Sequence, residues 1–374
     1  DNTLADLGKE LDLSVPTVTK MVGELIDDGI VMDFGKIETP GGRRPNIYGL
    51  NQNSGYFIGV DICHSHVNIG FTDFKGELIS EELSVPFIES QPQDRFQRLC
   101  EIITQFIHKS KVPKHKILSM GINISGRVNT LTGHSYSSFY FDERPLTEMF
   151  ENELNINVSI DNDSRAMTYG EYIKGCVNGE KNVLYVNVSW GLGLGIIVGG
   201  QLYYGKSGFS GEFGHIPAFG NEILCLCGKK GCLETEASGL ALHRKFLEKL
   251  HSGHSSLLTQ KSGYNPNDPI SLNDIIEVAL QEDMLAIELI EEIGNSLGKH
   301  IAGLINLFNP ELVVIGGTLA YAGDYLMLPL RSAIRKYSLN LVSQDSTIKI
   351  SKLGEKAGLL GASLLARSKF IGLI

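Results

Sequence analysis

The first fifty residues place apolar and polar side chains with the spacing of two short helices. Leu4, Leu7 and Leu11 recur every three or four residues, which is the period of one helix face. A break follows, and Ser14 is of a type that commonly caps a helix N-terminus. The next apolar positions on one face are Val18, Val22, Leu25 and Ile26. The pattern therefore predicts two helices joined by a tight turn, a helix–turn–helix.

Two short apolar runs after these helices predict a β-hairpin. They cover residues 30–34 and 47–50, and glycines and paired arginines lie between them. Such a tip is typical of a DNA-binding wing, because arginine contacts phosphates and fits a narrow minor groove. We expect DNA contacts from the second helix and the wing at Thr17, Lys20, Arg43 and Arg44.

The charge of this front segment leaves an alternative open. Residues 1–50 contain nine acidic and five basic side chains, so the segment as a whole is acidic. A helical appendage that docks on another protein would fit that charge as well as a DNA-binding module. We also expect a further helix to precede the first one in the complete winged module.

From residue 56 onward, a run of strands and helices occurs twice. The first run predicts strands at 56–62, 67–74 and 77–85, a helix at 93–109 and a strand at 117–124. The second run predicts strands and helices at 183–188, 195–198, 201–204, 271–280, 284–308 and 312–315. A three-stranded meander built twice, each time with helices and a further strand, predicts two similar α/β lobes. Ligands of such folds bind in the cleft between the lobes.

The composition of the 374 residues favours a folded chain with a large core. Hydrophobic residues make up 42%, charged residues 20%, and the formal net charge is −10. That charge excludes a protein covered with basic groups for unspecific binding to nucleic acid or membranes. The uncharged stretch 182–205 could span a membrane by length, but its glycines favour a buried strand–turn–strand. Charges throughout the first residues argue against a signal peptide.

Three of the six cysteines lie within eight residues and indicate a metal site. Cys225, Cys227 and Cys232 follow His215, and three thiolates with one imidazole form a closed, tetrahedral zinc site of the structural type. His243 is an alternative fourth ligand. The other cysteines are scattered, as in reduced cytosolic proteins. The sequence therefore predicts a structural Zn²⁺ and a cytoplasmic location.

Polar residues at the end of an apolar strand indicate one side of a binding cleft. Asn162 and Asp163 follow the predicted strand at 156–160. Asp163 could act as a general base on a hydroxyl, and Asn162 could hydrogen-bond a polyol. The alternative is that the pair merely caps the following helix.

Further polar groups suit a ligand rich in hydroxyls. Glu212 and Glu234 flank the predicted zinc loop. A glycine turn places Gly126 and Arg127 where backbone and guanidinium could touch a ligand, although a plain surface turn explains them as well. Several acceptors and donors around one cleft fit a sugar.

Together these motifs resemble the ROK family of repressors and sugar kinases, which have the actin-like ATPase fold. The resemblance covers nearly the whole chain and is carried by Asn162–Asp163, Glu212–His215, the segment 225–234 and Gly316–Gly317. It implies an actin-like, hexokinase-like duplicated two-lobe fold behind an N-terminal winged helix–turn–helix. It implies zinc ligation by His215, Cys225, Cys227 and Cys232. It implies sugar contacts from Asn162, Asp163, Glu212, His215 and Glu234, while the turn with Gly126 and Arg127 is similar to that of N-acetyl-amino-sugar kinases.

Two departures from the kinase pattern favour a repressor. The family's kinases carry Asp-x-Gly-Gly-Thr-Lys after the first strand, and this chain has Cys63 and His64 in place of the glycines. Their side chains would obstruct the backbone N–H groups that hold phosphate. In the second loop the kinases have Gly-Thr-Gly, whereas this chain has Ser189, Trp190 and Gly191. We expect Trp190 to fill the phosphate space, so that only the sugar half of the cleft remains.

The combined prediction is a sugar-responsive repressor, not an enzyme, that binds operator DNA as a homodimer or homotetramer and has no contact with membranes. We expect domains at 1–50, at 51–160 together with 357–374, and at 161–356. Sugar binding would close the lobes and alter the spacing of the DNA-binding modules. One alternative is an ATP-dependent hexose or N-acetylhexosamine kinase with Asp163 as base. Another is a regulator controlled by a protein partner.

Overall fold

A pair of helices and a two-stranded hairpin open the chain. The computed structural model describes residues 1–36, 45–88, 91–260, 265 and 268–374. The first elements are α1 (Leu4–Glu10), α2 (Val15–Asp27), β1 (Val31–Lys36) and β2 (Asn46–Leu50). Thr3 and Asp6 form a capping box at the start of α1, and Ser14 caps α2 as its residue type predicts. β1 and β2 pair antiparallel.

The second helix buries less of its apolar face than the sequence predicts. Val18 and Val22 are buried, but Leu25 and Ile26 are 38% and 37% exposed. The expectation that all four are buried was therefore wrong for two of them. The helix packs mainly on α1 and β1, and these small elements cover only a narrow stripe. Arg43 and Arg44, predicted to lie at the wing tip, are outside the described residues.

The first lobe (residues 56–162) is built around a five-stranded sheet. Its elements are β3 (Tyr56–Ile62), β4 (His66–Asp73), β5 (Leu78–Pro86), α3 (Pro92–Lys109), β6 (Ile117–Ile124), β7 (Val128–Asn129), β8 (His134–Ser135), α4 (Leu146–Leu154) and β9 (Val158–Asn162). The strand order is β5-β4-β3-β6-β9. β3, β4 and β5 form an antiparallel meander, whereas β6 and β9 continue the sheet in parallel.

The second lobe (residues 183–350) repeats this arrangement. After α5 (Asp163–Lys174), its elements are β10 (Val183–Val188), β11 (Leu192–Val198), β12 (Gln201–Leu202), α6 (Gly239–His251), α7 (Leu257–Gln260), α8 (Leu272–Leu280), α9 (Met284–Phe308), β13 (Leu312–Gly316), α10 (Asp324–Tyr337), α11 (Asn340–Asp345) and β14 (Thr347–Ile350). The strand order β12-β11-β10-β13-β14 again places an antiparallel meander beside two parallel strands. The predicted duplicated two-lobe α/β fold is confirmed.

Two helices pack between the sheets and join the lobes. The last helix, α12 (Lys356–Phe370), lies on β3 and β6 of the first lobe, and α5 packs against both α12 and β11. Gly59 and Gly121 permit this approach, because a Cβ there would lie 1.8 and 2.1 Å from backbone oxygens of α12. The close packing fixes the carboxyl ends of both sheets around the N-terminus of α5.

Two glycines of β11 have a different role from the one that the sequence suggested. The sequence places Gly193 before the predicted strand at 195–198 and Gly195 at its start, and both lie inside β11. A Cβ at Gly195 would lie 1.7 Å from Oγ1 of Thr168, and one at Gly193 would lie 2.1 Å from Oγ of Ser164. The glycines therefore let α5 pack directly on β11. For the same reason the strand begins at Leu192, three residues before its predicted start.

Each lobe has its own apolar core. In the first lobe, the strands pack against α3 and α4 through side chains such as Phe71, Phe106 and Phe150. In the second, α9 runs beneath the sheet with Ile293, Leu297 and Ile301 fully buried. Within the described ranges, no helix combines the length and apolar character that crossing a membrane requires.

Candidate functional site

Three cysteines and one histidine of the second lobe converge as the sequence predicts. The ligand atoms of His215, Cys225, Cys227 and Cys232 all lie within 4.8 Å of one another. Nδ1 of His215 is 3.5 Å from Sγ of Cys225, and the sulfurs of Cys227 and Cys232 are 3.6 Å apart. Gly228 and Gly231 of the loop have positive φ, which lets the chain turn the sulfurs inward.

The spacing of these atoms fits a tetrahedral metal ion. Bonds of about 2.3 Å to sulfur and about 2.0 Å to nitrogen require S–S separations of about 3.8 Å and S–N separations of about 3.5 Å. The observed 3.6 and 3.5 Å agree with both values. The four residues could therefore hold one metal ion.

The alternative fourth ligand lies elsewhere. Nε2 of His243 is 2.8 Å from the carbonyl oxygen of Ile270, and its ring packs 5.3 Å from the ring of Trp190. His215, rather than His243, is the histidine that the fold places beside the cysteines.

Two carboxylates hold the ring of His215 from opposite sides. Oε1 of Glu234 lies 3.4 Å from Nδ1, and Oε2 of Glu212 lies 3.7 Å from Nε2. The other oxygen of Glu234 faces Gly191 and Gly214, where an added Cβ would lie 3.6 and 3.3 Å away. Oε1 of Glu234 also accepts from the thiol of Cys225 over 2.8 Å, so this carboxylate lies directly beside the four residues that could hold a metal.

Asn162 and Asp163 lie at the junction of β9 and α5. Oδ1 of Asn162 accepts hydrogen bonds from the backbone N–H groups of Ser164 and Arg165, so the capping role is real. Its amide also donates to the carbonyl oxygen of Gly126 over 3.1 Å. Oδ2 of Asp163 accepts from the hydroxyl of Ser125 over 2.9 Å.

Two residues that the sequence did not single out link the parts of the site. Ser125 anchors Asp163, and the amide of Asn187 donates to the hydroxyl of Ser164 over 3.2 Å. Asn187 is at the end of β10, directly before the turn that carries Trp190. These contacts connect the two lobes across α5. In the sequence, Ser125 directly follows an apolar strand and Asn187 lies near the end of another.

The turn at Gly126 and Arg127 lies against Asn162. Gly126 has φ +90°, and a Cβ there would lie 2.5 Å from Oγ of Ser137, so glycine is required. The backbone N–H of Arg127 donates to the same hydroxyl over 3.0 Å, while its guanidinium is exposed. The turn is therefore fixed by its backbone and leaves the arginine side chain available to a ligand.

The other half of the cleft contains the half-buried Cys63 and the exposed His64 where the family's kinases have glycines. Cys63 follows β3, and its thiol lies 3.6 Å from Oδ2 of Asp61. Burial raises the pKa of Asp61 to about 7, and the nearby charge of Asp163 adds to the shift. Burial likewise raises the pKa of the Cys63 thiol. Within the described part of the chain, Oδ1 of Asp61 has no hydrogen-bond partner.

An aromatic stack joins the two lobes in this half of the cleft. The ring of His64, from the β3–β4 turn, lies 4.2 Å from the ring of Trp190, from the β10–β11 turn, at an angle of 8°. His243 packs on Trp190 as well. Burial, followed by the charge of Arg95, lowers the pKa of His64 from its usual value. Side chains thus occupy the space between the two turns.

The described DNA-contact candidates are on the exposed face of α2. Thr17 lies in the first turn, with its hydroxyl 2.8 Å from that of Ser14. The ammonium of Lys20 is 3.9 Å from a carboxylate oxygen of Glu24, and its side chain is 80% exposed. Neither side chain packs in the core of the front segment, and both are exposed.

Both repressors and sugar kinases are found among the known proteins that resemble this chain. The family model described as "ROK family" matches residues 57–369. A putative xylose repressor of Caldicellulosiruptor sp. (strain Rt8B.4) is 32% identical over 372 residues, which cover 98% of this chain and 92% of that protein. A glucokinase of Halalkalibacterium halodurans is 30% identical over 321 residues, or 84% of this chain and 96% of the kinase.

The solved structures include a regulator that spans the whole chain. It is described as a ROK family transcriptional regulator, homolog of the E. coli MLC protein, and it superimposes with a TM-score of 0.82 at 28% identity. The match covers 100% of this chain and 93% of the regulator. The similarity therefore includes the front helices and hairpin as well as both lobes.

Proposed function

The chain belongs to the ROK family, and from that premise we propose that it is a sugar-responsive transcriptional regulator, a repressor that binds operator DNA and is released by its sugar. The repressor relative aligns with 98% of the chain, whereas the glucokinase relative aligns with 84%. The family model begins at residue 57, after the front segment with α1, α2 and the hairpin.

The His64–Trp190 stack is the observation that carries this proposal. It fills the space between the two turns that would hold ATP phosphates in the family's kinases, and Cys63 adds a further side chain there. A nest of backbone N–H groups cannot surround a phosphate when side chains point into it. The polar residues around Asp163 and Glu234 are kept, so the cleft retains the groups that suit a sugar.

The front segment supplies the DNA-binding module in this proposal. Thr17 and Lys20 would face the major groove from α2, and Arg43 and Arg44 would contact DNA from the hairpin tip. One such module reads few bases, so a homodimer or homotetramer would be needed for a specific operator. A regulator of transcription acts where the chromosome is, which assigns the protein to the cytoplasm.

Zn²⁺ is the metal that best suits the cluster. Three thiolates and an imidazole in a closed tetrahedron match the ligands that zinc takes in structural sites. The ion would hold the loop that carries Glu234 and the ring of His215, with His215, Cys225, Cys227 and Cys232 as its ligands. No ligand position is left open, so the ion would stabilise the fold without activating water.

The lobes would transmit sugar binding to the DNA-binding modules. A sugar held by Asn162 and Asp163 on one side, and by Glu212, His215 and Glu234 on the other, binds most tightly when the cleft is closed. Because the closed cleft would bind the sugar more tightly than the open cleft, sugar binding would favour closure. Closure would in turn change the relative placement of the two DNA-binding modules in a dimer. We assign the domains to 1–50, to 51–160 with 357–374, and to 161–356.

A thermal-shift screen of the full chain tests the proposal. The protein is heated with common sugars, amino sugars and their phosphates, and separately with Mg-ATP. Ligand binding to the native state raises the melting temperature. We expect a shift with at least one sugar and none with ATP. Sugar-dependent consumption of ATP that Asp163→Asn abolishes would overturn the proposal in favour of a hexose or N-acetylhexosamine kinase, and no shift with any sugar would favour control by a protein partner.

Salt-dependent DNA binding tests the front module. Operator fragments are first selected from random DNA with the intact protein. Lys20→Ala and Arg44→Ala should each weaken binding to all fragments. Each should also reduce the slope of the logarithm of the binding constant against the logarithm of the salt concentration by about one. Lys336→Ala, on the second lobe, is the control. An unchanged salt slope in both variants would contradict the assignment of these residues to DNA.

A further inference from the structure

Three aromatic side chains form an exposed cluster at the mouth of the cleft. Tyr136 and Tyr140 belong to the loop after β8, and Phe209 belongs to the loop before Glu212. The ring of Tyr136 lies 6.0 Å from that of Phe209 and 6.3 Å from that of Tyr140. The three residues, here called the aromatic rim, are 44%, 61% and 40% exposed in the order Tyr136, Tyr140 and Phe209.

The aromatic rim is attached to the proposed sugar site from two directions. The backbone N–H of Tyr136 donates to the carbonyl oxygen of Arg127, in the turn whose Gly126 carbonyl accepts from Asn162. On the other side, the guanidinium of Arg165 donates over 2.7 Å to the carbonyl oxygen of Gly208, the neighbour of Phe209. The rim therefore extends outward from the N-terminus of α5, where Asp163 lies.

The anchoring is rigid, which is unusual for an exposed apolar surface. Arg165 is 2% exposed and is held by Asp161 over 2.8 Å. Gly208 has φ +81°, and a Cβ there would lie 3.0 Å from the carbonyl oxygen of Val128. The two loops that carry the rim thus pack backbone to backbone. A fixed group of half-exposed rings is a preformed binding surface rather than scattered surface hydrophobicity.

We propose that the effector is a glycoside of at least two rings, such as a disaccharide, whose first ring lies in the cleft and whose second ring stacks on the aromatic rim. This inference rests on the proposed function. A pyranose ring has an apolar C–H face that packs on an aromatic ring, and hydroxyls at its edge that stay in water. A monosaccharide held at Asp163 leaves the rim uncovered, whereas a second ring extending outward covers it. The exposed guanidinium of Arg127 offers hydrogen-bond donors beside that second ring.

The test compares matched sugars by isothermal titration calorimetry of the full chain. The pairs are D-xylose with xylobiose, D-glucose with cellobiose and with maltose, and N-acetylglucosamine with N,N′-diacetylchitobiose. We expect one disaccharide to bind about tenfold more tightly than its monosaccharide. Tyr136→Ala and Phe209→Ala should remove that advantage while the affinity for the monosaccharide stays within about twofold. Tyr337→Ala, an exposed tyrosine of α10, is the matched control and should change neither affinity.

The possible outcomes separate this inference from the proposed function. A monosaccharide that binds as tightly as every matched disaccharide overturns the inference and leaves the proposed function standing. So does an equal loss of affinity for both sugars in the rim variants, because it would place the rings in the first subsite. If no sugar of either kind binds, the proposed function itself fails. The comparison on the unaltered protein decides the matter even if a rim variant folds poorly.

Discussion

The two halves of the interlobe cleft contain opposite kinds of residue. One half holds the carboxylates of Asp163, Glu212 and Glu234, each fixed by a neighbour at hydrogen-bond or ion-pair distance. The other half holds the stacked rings of His64 and Trp190 between two turns. The contrast rests on a few side chains in the turns and loops around the cleft, whereas the two sheets repeat the same strand order.

The contrast also shows how differently the two halves are stabilised. The polar half depends on the metal cluster and on the cap of α5, so its geometry is coupled to folding. The filled half depends on packing across the cleft and on one buried acid, Asp61. Variants in the two halves should therefore differ in which property they change.

Removal of a metal ligand should have the largest effect and should collapse the polar half. Cys227→Ser is expected to lower the melting temperature by on the order of 10 °C, because metal-binding free energy is folding free energy in such sites. Metal content and thermal unfolding are measured together. Cys176→Ser, outside the cluster, should keep both values. A Cys227→Ser protein with its metal and melting temperature intact would disprove the ligand assignment.

Loss of one charge in the polar half should abolish tight sugar binding but spare the fold. Asp163→Asn keeps an oxygen for the Ser164 N–H and loses the charged acceptor, so we expect sugar affinity to fall about 30-fold. Calorimetry measures the affinity, and thermal unfolding without sugar should be nearly unchanged. Asp142→Asn, in an exposed pair with Arg144, serves as control. Unaltered affinity in Asp163→Asn would remove this residue from the site.

The buried acid of the filled half should make stability depend on pH. The pKa of Asp61 is raised to about 7, so its contribution to stability is full below pH 4 and is lost as the pH rises through 7. Asp61→Asn cannot ionise and avoids that loss. Between pH 5 and pH 8, its stability relative to the unaltered protein should rise by about 2 kcal/mol. Urea unfolding at both pH values measures the difference in unfolding free energy between Asp61→Asn and the unaltered protein. The same difference at pH 5 and pH 8 would show that Asp61 is already ionised at pH 5.

Opening the aromatic stack should have a small effect on stability and a clear effect on fluorescence. Trp190 is the single tryptophan of the chain, so tryptophan fluorescence reports on the surroundings of this ring, which His64 and His243 contact. His64→Ala should cost about 1 kcal/mol and change the emission intensity and wavelength. His115→Ala, at the opposite end of the first sheet, should leave the emission as it is. Identical emission from His64→Ala and the unaltered protein would mean that the stack does not persist in solution.

Elements with long apolar patterns were predictable from the sequence to the residue. β3, β6 and α9 begin and end where the pattern placed them, because each is covered by neighbours that its periodicity matches. The pattern failed for β11 and for the exposed Leu25, where tertiary packing decides. Gly193 lies before the predicted strand, and only the close packing of α5 on β11 shows why a glycine belongs inside the strand there.

The site was predictable where residue types cluster in sequence and not where the fold brings them together. The cysteine spacing predicted the metal cluster, and Asn162 and Asp163 were noticed because they follow a strand. The aromatic rim and the Ser125–Asp163 contact join loops that are distant in sequence. Nothing in the periodicity of those loops indicates which of their side chains will meet.

The most direct test of the account is a pair of titrations on the unaltered protein by isothermal calorimetry, one with the effector sugar and one with Mg-ATP, the latter with and without the sugar present. The account predicts saturable binding of the sugar and no binding of ATP at millimolar concentration, because side chains fill the phosphate space. Binding of ATP, above all binding that the sugar strengthens, would contradict it and show that the filled half of the cleft still opens to a nucleotide.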